Sequence, residues 1–339
     1  MQVSVIGLDI AKSVFHVVCQ SSTGKELRRR KLRRGQLVEF FAQQPECLVG
    51  MEACGGAHYW GRELERLGHR VRLLPARSVK AYVTGAKNDF NDAAGLCEAV
   101  RSERLRAVAV KTVEQQERQV LVRLRAKLIE QRTAQSNRLR GHLAEFGLVV
   151  AKGLAALRRA LPELLEDADN GLTALVRELL AEELSELRRL DERIAVHDRR
   201  LERFVREDEP TQRLAEVPGF GPVLASTMLA HLGDGHAFAN GRGFAASIGL
   251  VPHQHSSGGK PRLLGISKRG DPHLRSLLIH GARAVLSRAH QRSDPLSRWA
   301  LALSQRRPFN VAVVALANKL ARIAWVLLAR GERFDPTRA

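Results

Sequence analysis

The chain has 339 residues, 44% of them hydrophobic and 27% charged, with 55 Lys+Arg against 36 Asp+Glu and a formal net charge of +19. That length suits two domains and a connector, and with no apolar run of about 18 or more residues to be found a membrane-spanning helix is not expected. So large a positive excess points to a polyanionic partner, nucleic acid before a membrane surface, because no single helix gathers basic charge opposite an apolar face with aromatic anchors.

The N-terminus, MQVSVIGLDIAKS, has no basic leader followed by an apolar stretch and reads as the first strand of a folded domain. Residues 3–9 and 13–19 are β-type apolar runs close enough to pair as a hairpin, and the basic run 25–34 supplies a third strand. GQLVEFFAQQ has a helical pattern. Residues 47–52, CLVGME, form a short strand ending on an acid. An amphipathic helix over 57–68 stops at Gly68, and a strand over 69–75 stops at Pro75. A meander followed by alternating strands and helices is an α/β arrangement. The cysteines Cys19, Cys47, Cys54 and Cys97 form no CxxC pair with matched histidines, which argues for reduced thiols and against zinc.

Residues 112–206 are helical, with a break near 147–171 where Gly147, Gly153, Pro162 and Gly171 cluster. Leu180, Leu187, Leu190, Ile194, Leu201 and Phe204 alternate at spacings of three and four, with Glu183 and His197 in the same seam. This imperfect heptad pattern fits self-association with a second copy, and equally a helix packed on its own domain. A further domain opens near Glu209-Pro210. It holds a Gly/Pro-rich segment over 249–272 and apolar helices over 273–290 and 310–330. The expected organisation is an α/β domain at 1–111, a helical, coiled-coil connector at 112–208 and a mainly α-helical domain at 209–339.

Three constellations carry chemistry. Asp9 and Glu52 close two strands, while Asp89 and Asp92, three apart, share one face at the start of a helix. Clustered carboxylates repel unless a cation joins them, and hard oxygen donors suit Mg²⁺, which serves phosphoryl transfer. Singly, each acid has a structural explanation, such as capping by Asp89; the set of four, strand, strand, helix, is what points to a site. In VPGFGPVLASTMLAHLGD (217–234) a Pro-Gly-aromatic-Gly-Pro turn leads into a small-residue helix, as in a helix-hairpin-helix. Amides around Gly219 and Gly221 are placed to hold a DNA phosphate, although the same residues also make a tight turn without a ligand. The segment 249–275 lacks the GxxxxGK[ST] spacing of a nucleotide loop. Gly258 and Gly259 let a backbone approach a phosphate. Lys260, Arg262, Lys268, Arg269 and Arg275 supply positive charge. Ser256 and Ser257 are candidate nucleophiles with His253 and His255 nearby, and a serine hydroxyl needs such activation. Physics alone does not choose between the two serines, and the composition also fits a surface loop.

Five motifs in register, Gly7-Leu8-Asp9-Ile10-Ala11-Lys12, Gly50-Met51-Glu52-Ala53-Cys54-Gly55, Lys87-Asn88-Asp89-Phe90-Asn91-Asp92-Ala93, Val217-Pro218-Gly219-Phe220-Gly221-Pro222, and Ser257-Gly258-Gly259 followed by Gly265-Ile266-Ser267-Lys268-Arg269-Gly270-Asp271, span nearly the whole chain. Together they resemble the DEDD insertion-sequence transposases with a RuvC-like N-terminal domain (the insertion-sequence 110/1111 family), which act as bridge-RNA-guided serine recombinases. The resemblance implies an RNase H-like (RuvC-like) fold at 1–111 and a transposase domain at 209–339. It implies DNA strand cleavage and rejoining, with Asp9, Glu52, Asp89 and Asp92 as a catalytic tetrad that binds Mg²⁺. Ser257, directly before Gly258, corresponds to the serine that forms a covalent phosphoserine link to DNA. The implied partners are double-stranded donor and target DNA, a noncoding bridge RNA and further copies of the chain, a dimer that becomes a tetramer in the active complex; the implied location is cytoplasmic, on the nucleoid, with no membrane partner. Two other readings stay open on the residues: a RuvC-like Holliday-junction nuclease using the acids alone, and a non-catalytic DNA-binding protein whose acids are helix caps.

Overall fold

The structure is a computed structural model that describes residues 2–86 and 88–338; Lys87, part of one motif above, lies outside the described residues. The chain divides into two compact units, Met1–Val113 and Glu114–Ala339, so the helical stretch 112–208 and the segment 209–339 fall largely in one unit.

The N-terminal unit runs β1 (Val5–Ile10), β2 (Val14–Gln20), β3 (Glu26–Arg33), α1 (Leu37–Ala42), β4 (Leu48–Glu52), α2 (Ala57–Arg66), β5 (Arg70–Leu74), α3 (Ala76–Val79) and α4 (Asp89–Arg101). The five strands form one mixed sheet in the order β3-β2-β1-β4-β5. The meander β1-β2-β3 is antiparallel, whereas β4 pairs parallel with both β1 and β5. Parallel neighbours need a crossover, which the intervening helices supply. The pleat sorts the side chains: Ile6, Leu8, Phe15, Val17 and Cys19 pack with Phe41, Trp60 and Leu64 on one face. On the other face Val5 and Val18 pack with Ala93, Leu96 and Val100 of α4. This mixed α/β layering is consistent with an RNase H-like domain.

The second unit contains α5 (Val113–Glu145), α6 (Leu154–Glu166), α7 (Ala174–Glu207), α8 (Glu209–Ala215), α9 (Pro222–Leu232), α10 (Gly241–Ser247), β6 (Pro252–Gln254), β7 (Leu263–Ile266), α11 (Pro272–Arg288), α12 (Pro295–Arg306) and α13 (Phe309–Arg330). The structure bears on two expectations here. Of the two readings of the 180–204 seam, the structure has the helix packed on its own unit. Leu180 and Leu187 are buried against Leu139 and Leu143 of α5 and Leu157 and Leu161 of α6, Leu190 and Ile194 against Leu128, and Phe204 stacks under the Arg118 guanidinium at 4.2 Å. Heptad spacing specifies an apolar stripe, not which helix covers it. The apolar helix expected over 310–330 is present as α13. The 22-residue α13 is long and apolar enough to cross a membrane, and scattered Asn318, Lys319 and Arg322 hide that in a scan for continuous runs. Half of its apolar window is buried, with Leu316, Ala317, Leu320 and Ala321 fully enclosed in the core cluster that includes Phe244 and Leu278. Those residues make it the central helix of its unit.

Candidate active site

The acids are positioned by two glycines. Gly7 and Gly50 each precede an acid by two residues on their strands, so each shares a sheet face with Asp9 or Glu52. That face carries α4. A Cβ on Gly7 would collide with the Ala93 carbonyl oxygen, and one on Gly50 would stand 2.8 Å from both the Leu96 oxygen and the Val100 Cβ. The helix therefore lies directly on the strands. Asn88, not Asp89, caps it, its side chain accepting from the Phe90 amide at 2.9 Å. Asp89 and Asp92 thus occupy the first turn, where the helix dipole favours anions, and both face the strand ends.

The consequence is electrostatic crowding at half-buried Asp9. Burial lifts its carboxyl above the ordinary carboxylate range, and the charges of Asp89, Asp92 and Glu52 push it further, against a counter-pull from His16. The other three sequence-predicted acids therefore all bear on Asp9. Their spacing is uneven. Among the described residues, the group with metal-ligand spacing is Asp9, His16 and Asp89, each offering one ligand atom within 4.8 Å of the others, and it does not include Glu52 or Asp92. Oxygen donors with one nitrogen suit a divalent cation. His16 is the residue that sequence reasoning missed. Its signal was a polar side chain inside the apolar run VFHVVC, directly across the first hairpin from Asp9.

The turn at 217–221 joins α8 to α9. Val217 and Phe220 are buried, and the Phe220 amide donates to the Val217 carbonyl at 3.0 Å. Gly219 has φ +86°, and a Cβ there would meet the Gly281 carbonyl of α11 at 2.7 Å. Its glycine is thus demanded by packing. Gly221 is exposed, at the N-terminus of α9.

The segment 249–275, expected as a loop, carries an antiparallel ribbon of β6 and β7. At its tip the Lys260 amide donates to the Ser257 carbonyl at 3.1 Å, and the central Gly258 and Gly259 have φ +56° and +75°. That is a two-residue hairpin turn of the primed kind, which needs positive φ twice. The two serines, adjacent on the same arm, are engaged differently. The Ser256 hydroxyl accepts from the Arg262 amide at 3.1 Å and from Gln254 Nε2 at 2.8 Å, inside the ribbon. The Ser257 hydroxyl is exposed and has no hydrogen-bond partner among the described residues. His253 and His255 follow the same alternation, their rings 4.5 Å apart.

Lys260, Arg262, Lys268 and Arg269 are exposed, whereas Arg275 is committed to structure, donating to the Ile248 and Arg269 carbonyls at 3.0 and 2.8 Å. Asp271 caps α11. Burial raises its carboxyl, but the Leu274 and His273 amides and two nearby histidines outweigh that and hold it below the ordinary range. The four thiols are free, and burial pushes Cys47 and Cys97 up to about 12.

Residues 6–147 match the family model described as DEDD transposase of the IS110 type, and residues 211–297 match the model for the transposase IS116/IS110/IS902 family. A Pseudomonas aeruginosa protein named "Probable family 20 transposase" is 49% identical over 337 residues, 99% of this chain and 100% of that one. The transposase for insertion sequence element IS1111A of Coxiella burnetii is 42% identical over 98% of this chain and 91% of its own. The transposase for IS1328 of Yersinia enterocolitica is 40% identical over 98% and 99%.

Proposed function

We propose, for a chain that belongs to the IS110/IS116/IS902 family of DEDD transposases, that it cuts and rejoins DNA through a metal-binding acidic site and a serine nucleophile. The observation that carries this reading is the convergence of Asp89, Asp92 and Glu52 on a half-buried Asp9. Four like charges at one point are unstable without a cation, and membership in a DEDD family implies a divalent metal. Asp9, Glu52, Asp89 and Asp92 are the residues that would hold Mg²⁺. When bound, the ion neutralises charge on a phosphate and polarises its oxygens.

The remaining chemistry belongs to the ribbon. Ser257 Oγ forms a bond to a DNA phosphorus as one P–O ester bond to deoxyribose breaks; the hydroxyl proton passes to a base, and the released deoxyribose oxygen is protonated. Attack by another strand's hydroxyl reverses the exchange and rejoins DNA. The unengaged Ser257 hydroxyl supports this choice over Ser256, whose oxygen is already used within the ribbon. Lys260, Arg262, Lys268 and Arg269 supply charge to the phosphorane-like transition state, Arg275 holds the ribbon foot, and Gly219 and Gly221 shape a turn that presents amides to a backbone phosphate. The net charge of +19 supports donor and target DNA as partners. The family membership supports guidance by an element-encoded bridge RNA, action in the cytoplasm, and a homo-oligomer in which the acids of one subunit meet the serine of another.

The test is a recombination assay with the protein, the RNA flanking its gene and matching donor and target DNA. Wild type recombines, Asp9→Asn does not, and denatured reactions contain a covalent protein–DNA adduct that Ser257→Ala lacks. Recombination by Asp9→Asn, or in excess chelator, rules out the acidic site. An active wild type that never forms an adduct rules out the serine and leaves the acids-only nuclease.

A further inference from the structure

His16 occupies a place in this site that none of the four acids explains. It sits on β2 directly opposite Asp9 in the antiparallel β1–β2 pair. Such cross-strand partners share a sheet face, and here that face is the one covered by α4. The residue is 8% exposed. Its ring packs edge-on against Phe90 at 4.8 Å, which fixes its plane. Nδ1 points to the acids, 3.4 Å from Asp89 Oδ2, yet it is buried and makes no hydrogen bond. An unsatisfied buried polar atom costs about 1–3 kcal/mol, so a group that uses its lone pair is needed to stabilise this arrangement.

Two occupants answer that need, a proton and a metal ion. A proton on Nδ1 would make an imidazolium–carboxylate pair with Asp89, and such a pair normally closes to hydrogen-bond geometry. The open 3.4 Å contact, with Asp9 contributing a third ligand atom within 4.8 Å, describes donors arranged around a shared point. We propose that His16 Nδ1 is a direct ligand of the divalent cation, so that the site is a mixed carboxylate–imidazole centre. The proposal rests on the acidic site described above and adds a nitrogen to it. The chemistry follows from the donor: imidazole suits transition metals, while carboxylate and water suit Mg²⁺, Ca²⁺ and Mn²⁺. Relative to an all-oxygen site, the nitrogen raises the affinity for Mn²⁺ over Mg²⁺, and removing the ring reverses that gain.

Mn²⁺ is the probe, added to the full-length protein and followed by electron spin-echo spectroscopy, which detects nitrogen coordinated to the ion. Wild type shows a nitrogen coupling, the coupling changes when histidine is isotopically labelled, and Asp9→Asn abolishes it. His16→Gln still binds Mn²⁺ through the carboxylates but loses the coupling, together with the nitrogen's gain for Mn²⁺ over Mg²⁺ in competition. If wild type binds Mn²⁺ in an Asp9-dependent way with no nitrogen coupling, His16 is an ion-pair partner of Asp89 and the proposal is overturned while the acidic site stands. A coupling that persists in His16→Gln overturns it as well. If wild type binds no Mn²⁺, the acidic site fails too. Should His16→Gln not fold, the wild-type and Asp9→Asn spectra still decide.

Discussion

Gly7 lies directly opposite Gly50 in the parallel β1–β4 pair, so the backbone of α4 rests on a patch of two strands that has no side chains. The patch sets the height of the helix above the sheet, and with it the distance from Asp89 and Asp92 to Asp9 and Glu52. Gly7→Ala forces its methyl into the Ala93 carbonyl, and overpacking of this kind costs about 1–3 kcal/mol. Chemical denaturation should show that loss, together with weakened metal binding. Gly35→Ala, where a Cβ meets nothing within 4 Å, should stay within about 0.5 kcal/mol of wild type.

Asp9 makes the metal-free protein pH-sensitive. Its folded-state carboxyl is raised by burial and by Asp89, Asp92 and Glu52, so its contribution to stability is full below the unfolded value and is lost as pH rises through the folded one. In chelator at neutral pH, Asp9→Asn should melt above wild type, and the gap should close on acidification below the carboxylate range. Added Mg²⁺ or Mn²⁺ should raise the wild-type melting temperature and leave the variant unchanged. A wild type that melts above Asp9→Asn in chelator contradicts the crowding.

The two serines separate on the ribbon. Ser257→Ala should lower recombination by at least about 1000-fold, as expected for a lost nucleophile, while DNA and RNA binding persist in gel shifts. Ser256→Ala removes the acceptor for the Arg262 amide and Gln254 and should lower activity only modestly, with the adduct retained. An adduct that survives in Ser257→Ala and vanishes in Ser256→Ala moves the nucleophile by one residue.

Binding should be governed by phosphate contacts. With roughly 6–10 of them, affinity falls on the order of 10³–10⁵-fold between about 50 and 200 mM salt. A titration in which affinity barely changes over that range removes the electrostatic interpretation of the +19 charge.

The α7 stripe should behave as core. Leu187, fully buried, should cost about 2–5 kcal/mol when cut to Ala, whereas Leu179, 50% exposed, should cost little. Light scattering then separates the roles: a Leu187→Ala protein that keeps its stability and changes only its assembly mass would return the stripe to the oligomer interface.

Much of the N-terminal unit was legible because its strands are apolar and its helices amphipathic. β1, β2, β3, β4 and β5 fall within a residue or two of the runs that predicted them, and an acid closing an apolar strand is a local signal. His16 was hidden because a histidine in an apolar run reads alike as core or ligand; what matters is the hairpin register that sets it against Asp9, a non-local property. The β6–β7 ribbon was hidden because its strands are only three and four residues long and are interrupted by Pro252 and Gly265, residues with weak β preference. The α7 stripe was read correctly as apolar, but its partner depends on α5 and α6 folding back on it, which spacing does not encode.

The ribbon also works as a ruler. Its foot is pinned at Gly249 and Gly270, where any Cβ would strike the backbone of Arg269 and Ser247 respectively, and its tip is a turn with no slack. The reach of the Ser257 hydroxyl is therefore set by the number of residues between foot and tip. Adding one residue to each arm lengthens the ribbon by about 3.4 Å and turns alternate side chains to the opposite face. Adding two to each arm restores the face and extends the reach by about 7 Å. Hydroxyl chemistry in this protein is thus tied to arm length as firmly as to residue identity, and a matched series of insertions reads out how far the serine travels to its phosphate.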